Sequence, residues 1–111
     1  MLDTVSLRWK LIPLTGQDSE TVPYQRYGHT AVAYEESAFI WGGRNDKDGA
    51  CNILYQFNSN THTWSRPSVE GAVPNARDGH SACVIGNKMY FFGGYEEETE
   101  RFSNDLYVLD F

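Results

Sequence analysis

The sequence predicts an all-β protein built from four-stranded antiparallel sheets that are written out in repeat. Three observations predict it. Two stretches nearly duplicate each other, "RYGHTAV…FIWGGRN" from Arg26 and "RDGHSAC…YFFGGYE" from Arg77, and they lie 51 residues apart. His29 and His80, and the pairs Gly42-Gly43 and Gly93-Gly94, keep the same offset of 51, and a fixed period with matched marks inside it is the signature of a repeat array. The apolar segments are short and rich in β-branched and aromatic residues, and no ten-residue run carries a helical period. Finally, Gly86-Asn87 falls where a two-residue hairpin needs residues tolerant of positive φ.

The elements follow in order. "VSLRWKLI", residues 5–12, carries Trp9 in a position that matches Trp64. Residues 1–12 are therefore expected to hold the last strand of a preceding unit, and 13–25 a linker. A complete unit spans 26–66. Its first two strands are "TAVAY" and "SAFIWGG", joined through Glu35-Glu36, and the glycine pair is expected to end the second. The third, "NILYQFN", alternates Leu54 and Gln56 with Tyr55 and Phe57 as a pleated strand requires. Ser59-Asn60-Thr61 then turns the chain into "HTWSR", whose Trp64 is expected to pack one sheet on the next. Pro67, Gly71 and Pro74 mark a linker over 67–76. Residues 77–111 hold three strands of the next unit, "SACVI", "KMYFFGG" and "NDLYVLD". The offset grows to 52 between Leu54 and Leu106, so one residue is gained in the loop after the second glycine pair.

Composition narrows the function. The chain is 41% hydrophobic and 14% aromatic, too apolar for a disordered segment. Its apolar runs are too short to span a bilayer, and the sequence has neither a signal-like opening nor an N-x-S/T acceptor. The expected location is cytoplasmic, and also nuclear. A formal net charge of −6 argues against direct nucleic-acid binding. Glu96, Glu97, Glu98 and Glu100 read as a solvated loop. Cys51 and Cys83 have no metal-site or redox spacing and read as structural or incidental thiols. His29 and His80 occupy equivalent positions, so they read as parts of the repeat and not as a catalytic pair. No phosphate loop, nucleophile arrangement, cofactor motif or metal-ligand cluster is visible, and no enzymatic activity is expected.

The ordered marks "RYGHTAV", "WGGRN", "LYQFN" and "T-W", with "RDGHSAC", "FGGYE", "ND" and "LYVLD", resemble kelch repeats over essentially the whole chain. The resemblance implies that each unit is one blade of a β-propeller, that the family's rings hold six blades, and that this chain carries about two. Two blades cannot close a ring. The sequence is therefore expected to be part of a longer propeller, with self-assembly of three copies as the alternative.

In a propeller, equivalent loop positions converge on one mouth. Two such positions differ between the copies beside fixed neighbours: Arg44 and Tyr95 after the glycine pairs, and Tyr27 and Asp78 inside the R-x-G-H marks. An arginine there can clamp a carboxylate through two parallel hydrogen bonds, or bridge to Asp46 or Asp48. The tyrosine offers an aromatic face to a peptide, and Asp78 suits a basic side chain. Kelch proteins similar to this one are substrate receptors of cullin-RING ubiquitin ligases that recognise C-terminal, glycine-ended peptides, and the resemblance implies that role here. It places Arg44 and Tyr95 at pocket positions, and Arg101, three residues before Asn104-Asp105, at a further one. It also implies contact with a ligase adaptor through a segment outside these residues. A nuclear or chromatin-associated scaffold for folded, basic proteins is the alternative function.

Overall fold

The computed structural model describes residues 7–14 and 18–111. Every regular element in them is a strand: β1 (Tyr27–Tyr34), β2 (Ser37–Asn45), β3 (Gly49–Ala50), β4 (Leu54–Asn58), β5 (Thr63–Ser65), β6 (Arg77–Asp78), β7 (Ser81–Ile85), β8 (Lys88–Phe92), β9 (Tyr95–Glu96), β10 (Arg101–Phe102) and β11 (Leu106–Asp110). The first sheet is an antiparallel meander in the order β1-β2-β4-β5, with β3 paired to the far end of β2. The second is β7-β8-β11, and a small third ladder joins β6, β9 and β10.

Two-residue turns set the register of both hairpins. Tyr34 opposes Ser37 across Glu35-Glu36, and Ile85 opposes Lys88 across Gly86-Asn87. Of the glycine-asparagine pair, only Gly86 takes positive φ, at 61°. Its counterpart in the first hairpin is Glu35, held at φ 53°, where a side chain meets a steric penalty that glycine avoids.

The glycine pairs do not end both second strands. β2 runs through Gly42-Gly43 to Asn45, because β1 begins at Tyr27 and stays paired as far as Tyr27↔Arg44. In the second copy the ladder breaks at Phe92 and resumes at Tyr95. There the Gly79 amide donates to the Gly28 carbonyl of the neighbouring sheet (2.9 Å), so the second copy diverts a backbone bond to the joint between sheets.

The strand proposed for 5–12 falls partly outside the described residues. Residues 7–12 have no ladder partner, and the Trp9 side chain is wholly exposed. A strand exists only through hydrogen bonds to a neighbour, and none of the described residues pairs with this segment in a ladder.

The two sheets pack face to face. Alternation turns Phe39 and Trp41 of β2 and Leu54 of β4 toward Met89 and Phe91 of β8, and all five are buried. Ala82 and Val84 of β7 and Tyr107 and Leu109 of β11 flank them. Burying each large side chain stabilises the fold by about 1.5–3 kcal/mol. Trp64 does not belong to this layer. It opposes Phe57 on β4 and packs on that ring at 5.0 Å. Phe57 pairs with Ala38, one position out of phase with Phe39, so both aromatics lie on the face turned away from the second sheet.

Replacing Glu35 with glycine should remove the strained turn residue without touching the core. We expect Glu35→Gly to raise the unfolding free energy by about 0.5–1 kcal/mol in urea titrations.

Candidate functional site

The repeated arginines brace each copy in the same way. Arg26 donates through Nε to the Tyr24 carbonyl and through one terminal nitrogen to the Gly42 carbonyl, both at 3.0 Å. Arg77 does the same to Asn75 (3.0 Å) and Gly93 (3.1 Å). Each guanidinium also lies over an equivalent tyrosine, Tyr55 at 5.1 Å and Tyr107 at 5.3 Å. These arginines tie the chain before the first strand to the glycine pair.

The copies differ at the remaining nitrogen. That of Arg77 donates to buried Glu96 at 2.9 Å. That of Arg26 is buried without a partner, because Asn45 stands where the second copy has Glu96. Asn45 is used otherwise: its carbonyl oxygen accepts from the amides of Lys47 and Asp48, and its amide donates to the Gln25 carbonyl. Glu96 also accepts from the Thr99 hydroxyl (3.0 Å) and from Arg101 (3.4 Å). Thr99, with Arg77 and Arg101, holds its carboxyl below the usual range.

The glutamate loop is therefore not simply solvated. Glu96 is buried, and Glu97 reaches across to accept from the Ala50 amide of β3 at 2.9 Å. Only the offset reveals this in sequence: Glu96 sits opposite a repeated arginine, one position after a residue equivalent to Arg44.

His80 is a joint between the sheets. It is 7% exposed, its Nε2 lies 2.8 Å from the Thr30 hydroxyl, and its ring meets Trp41 edge-on at 5.1 Å. Burial, with Arg77 and His29 nearby, pushes its pKa down to about 4. A Cβ on Gly42 would lie 2.4 Å from the ring, so only glycine leaves room for it. The second glycine of each pair makes space for the histidine of its own copy: Cβ atoms on Gly43 and Gly94 would lie 2.8 and 2.9 Å from the Cβ of His29 and His80.

This joint brings four of the five candidate residues to one end of the molecule. Tyr27 opposes Arg44 across β1 and β2, and Asp78 opposes Tyr95 across β6 and β9. The Gly79–Gly28 bond sets the two pairs side by side, and a Cβ on Gly28 would lie 3.1 Å from that of Asp78. Arg44 makes no bridge to Asp46 or Asp48. Asp46 accepts from the Tyr27 hydroxyl (3.3 Å) and Asp48 from Asn45 (3.2 Å). The Arg44 Nε and the Asp78 Oδ1 are both buried without a hydrogen-bond partner, an arrangement that calls for an explanation. Tyr95 meets Phe102 edge-on at 5.2 Å. Arg101, on β10 beside this group, is exposed and directed toward Glu96.

No candidate lines either of two inter-sheet grooves. One, of about 910 Å³, lies at the opposite, hairpin end by Glu35, Phe39 and Phe111. The other, of about 360 Å³, runs beneath residues 69–74. Of the two thiols, Cys51 is buried and Cys83 exposed.

Comparison with known proteins places these features. The KLHDC2/KLHL20/DRC7 Kelch-repeats domain matches residues 1–111. Kelch domain-containing protein 3 of Bos taurus is 55% identical over 99% of the chain, and that of Homo sapiens 53%. The host cell factor homolog hcf-1 of Caenorhabditis elegans is 35% identical over 93%. The chain spans 30% of the length of the two Kelch domain-containing protein 3 relatives and 12% of hcf-1.

The His80 environment has a consequence for stability. An unfolded imidazole binds a proton near pH 6.5, whereas the folded one resists until about 4. The unfolded state therefore holds more protons between these values, and stability is full above 6.5 and lost as pH falls toward 4. Glu96 acts in the same direction at lower pH. Its contribution is present above its ordinary value of 4.5 and lost as pH falls through its lower folded value. Urea unfolding at pH 7.5, 6.5, 5.5 and 5.0 should show declining stability, and His80→Gln should flatten the decline between 6.5 and 5.0.

Proposed function

Because the chain belongs to the kelch-repeat family and is a protein-binding module of that kind, we propose that its loop end receives the C-termini of partner proteins, with Arg44 pairing the terminal carboxylate. The observation that carries this reading is the buried Arg44 Nε, which has no hydrogen-bond partner. A carboxylate supplies two acceptor oxygens in the plane of a guanidinium, the geometry of a bidentate pair. Tyr95, one period on, supplies an aromatic wall, and Tyr27 a hydroxyl already oriented by Asp46. Asp78 brings an acceptor for a donor group further along the peptide. Arg101 contributes positive charge at the edge and shares its guanidinium with Glu96.

On this reading the module selects proteins for a cullin-RING ubiquitin ligase, in the cytoplasm and the nucleus. That role is supported by the sequence resemblance and by the position of Arg44 and Tyr95 after the glycine pairs. The adaptor contact belongs to segments outside these residues.

The test is peptide binding to the purified protein by fluorescence anisotropy. A glycine-ended peptide should bind with a free carboxylate and lose binding as the C-terminal amide. Arg44→Ala should cost about 1.5–3 kcal/mol of affinity. Equal binding of acid and amide would overturn the carboxylate reading and favour a scaffold for folded partners.

A further inference from the structure

With Arg44 read as the partner of a terminal carboxylate, we propose that Glu97 is a positioning residue for it. Arg44 belongs to the first copy and Glu97 to the second, so the site depends on a bond that crosses between them. The Cys51 amide donates to the Gly43 carbonyl at 2.9 Å. Successive amides of a strand point to opposite sides, so that of Ala50 is turned away from β2. Among the described strands β3 pairs with β2 alone, and the Glu97 carboxylate takes the outward Ala50 amide at 2.9 Å.

The seat is fitted to that carboxylate. Its two oxygens lie 2.6 and 2.9 Å from where a Cβ on Gly49 would stand, so the bare glycine makes room for them. The Glu97 amide is itself tied to the Ala76 carbonyl at 3.4 Å. The counterpart of Glu97, 51 residues earlier, is Asp46. Its side chain is one methylene shorter and stays within its own copy, on the Tyr27 hydroxyl.

Two bonds therefore fix the distance between the halves of the site. On one side the Gly79 amide reaches the Gly28 carbonyl, next to Asp78 and Tyr27. On the other, Glu97 reaches Ala50, which opposes Arg44. Arg44 is held between β1, where Tyr27 opposes it, and a β3 anchored from the second copy. Loss of the Glu97 bond frees β3 on its outer side. A guanidinium that must be ordered on binding pairs a carboxylate less tightly than one already in place.

Fluorescence anisotropy with the glycine-ended peptide, as free acid and as amide, tests this on the purified protein. Glu97 is exposed, so its variants should fold. Glu97→Gln keeps an oxygen for the Ala50 amide and should bind the acid as the unaltered protein does. Glu97→Ala should bind it about fivefold more weakly, the worth of one ordinary hydrogen bond. The loss acts through Arg44, so Glu97→Ala should cost nothing further in an Arg44→Ala background. Undiminished binding by Glu97→Ala, tighter binding by both variants, or the same loss without Arg44 would overturn the proposal. If acid and amide bind alike, the carboxylate reading falls, and hydrogen exchange at the buried Arg44 Nε–H decides the positioning role. Followed by NMR, exchange should be slow in the unaltered protein and in Glu97→Gln, and faster in Glu97→Ala. An equal rate in all three would overturn that role.

Discussion

The ring of His80 fills the space that a side chain on Gly42 would occupy, and the packing of one sheet on the other is organised around that contact. Seated there, the ring touches Trp41, and its nitrogen reaches the Thr30 hydroxyl. Beside it the Gly79 amide bonds the Gly28 carbonyl. One residue thus fixes how closely the inner strands approach, and the aromatic layer of Trp41 and Phe91 follows from that spacing. The same contact explains why histidine stays neutral here. A charged ring would lie buried beside Arg77, with its Nδ1 unpartnered.

From that joint the architecture reaches the loop end. The repeated arginines anchor the chain ahead of β1 and β6 to the glycine-pair carbonyls. The residues just beyond those glycines are therefore held on rigid strand ends. Arg44 and Tyr95 occupy this place, each opposed by the variable residue of the R-x-G-H mark. Constant residues build the frame, and the two positions that vary face one another across it. The second copy adds rigidity through Glu96 and grips the first through Glu97. The first copy leaves a nitrogen of Arg26 unpaired and uses Asn45 to shape its own loop.

Much of this was legible in the residues, for physical reasons. Period-two alternation and the internal offset locate the principal strands, because side-chain direction in a sheet follows from position alone. Which face Trp64 takes needs one further step of the same logic. Its partner Phe57 lies one step out of phase with Phe39, and phase decides the face. The end of β2 was misjudged because glycine permits a strand to stop without requiring it to. Whether the ladder continues depends on the opposite strand, which local sequence does not encode. Glu96 and Glu97 were hidden among four acids, since burial of a charge depends on a partner brought from 19 residues away, as Arg77 is. The candidate residues were found by comparing one copy with the other. The unpaired state of Arg44 could be seen only once Asp46 and Asp48 had been assigned to other donors.

The seat beneath His80 can be tested by comparing two alanine substitutions in equilibrium unfolding. Gly42 and Gly79 have nearly equal φ values, 75° and 71°, but a Cβ on Gly79 would meet nothing within 4 Å. Gly79→Ala carries only the backbone penalty, about 1–2 kcal/mol. Gly42→Ala adds a collision with a buried ring, and overpacking of this kind costs about 1–3 kcal/mol more. The account predicts that Gly42→Ala is the more damaging by that margin, and that the margin shrinks when His80 is replaced by alanine. Equal losses at the two glycines, or a margin unchanged by His80→Ala, would contradict it.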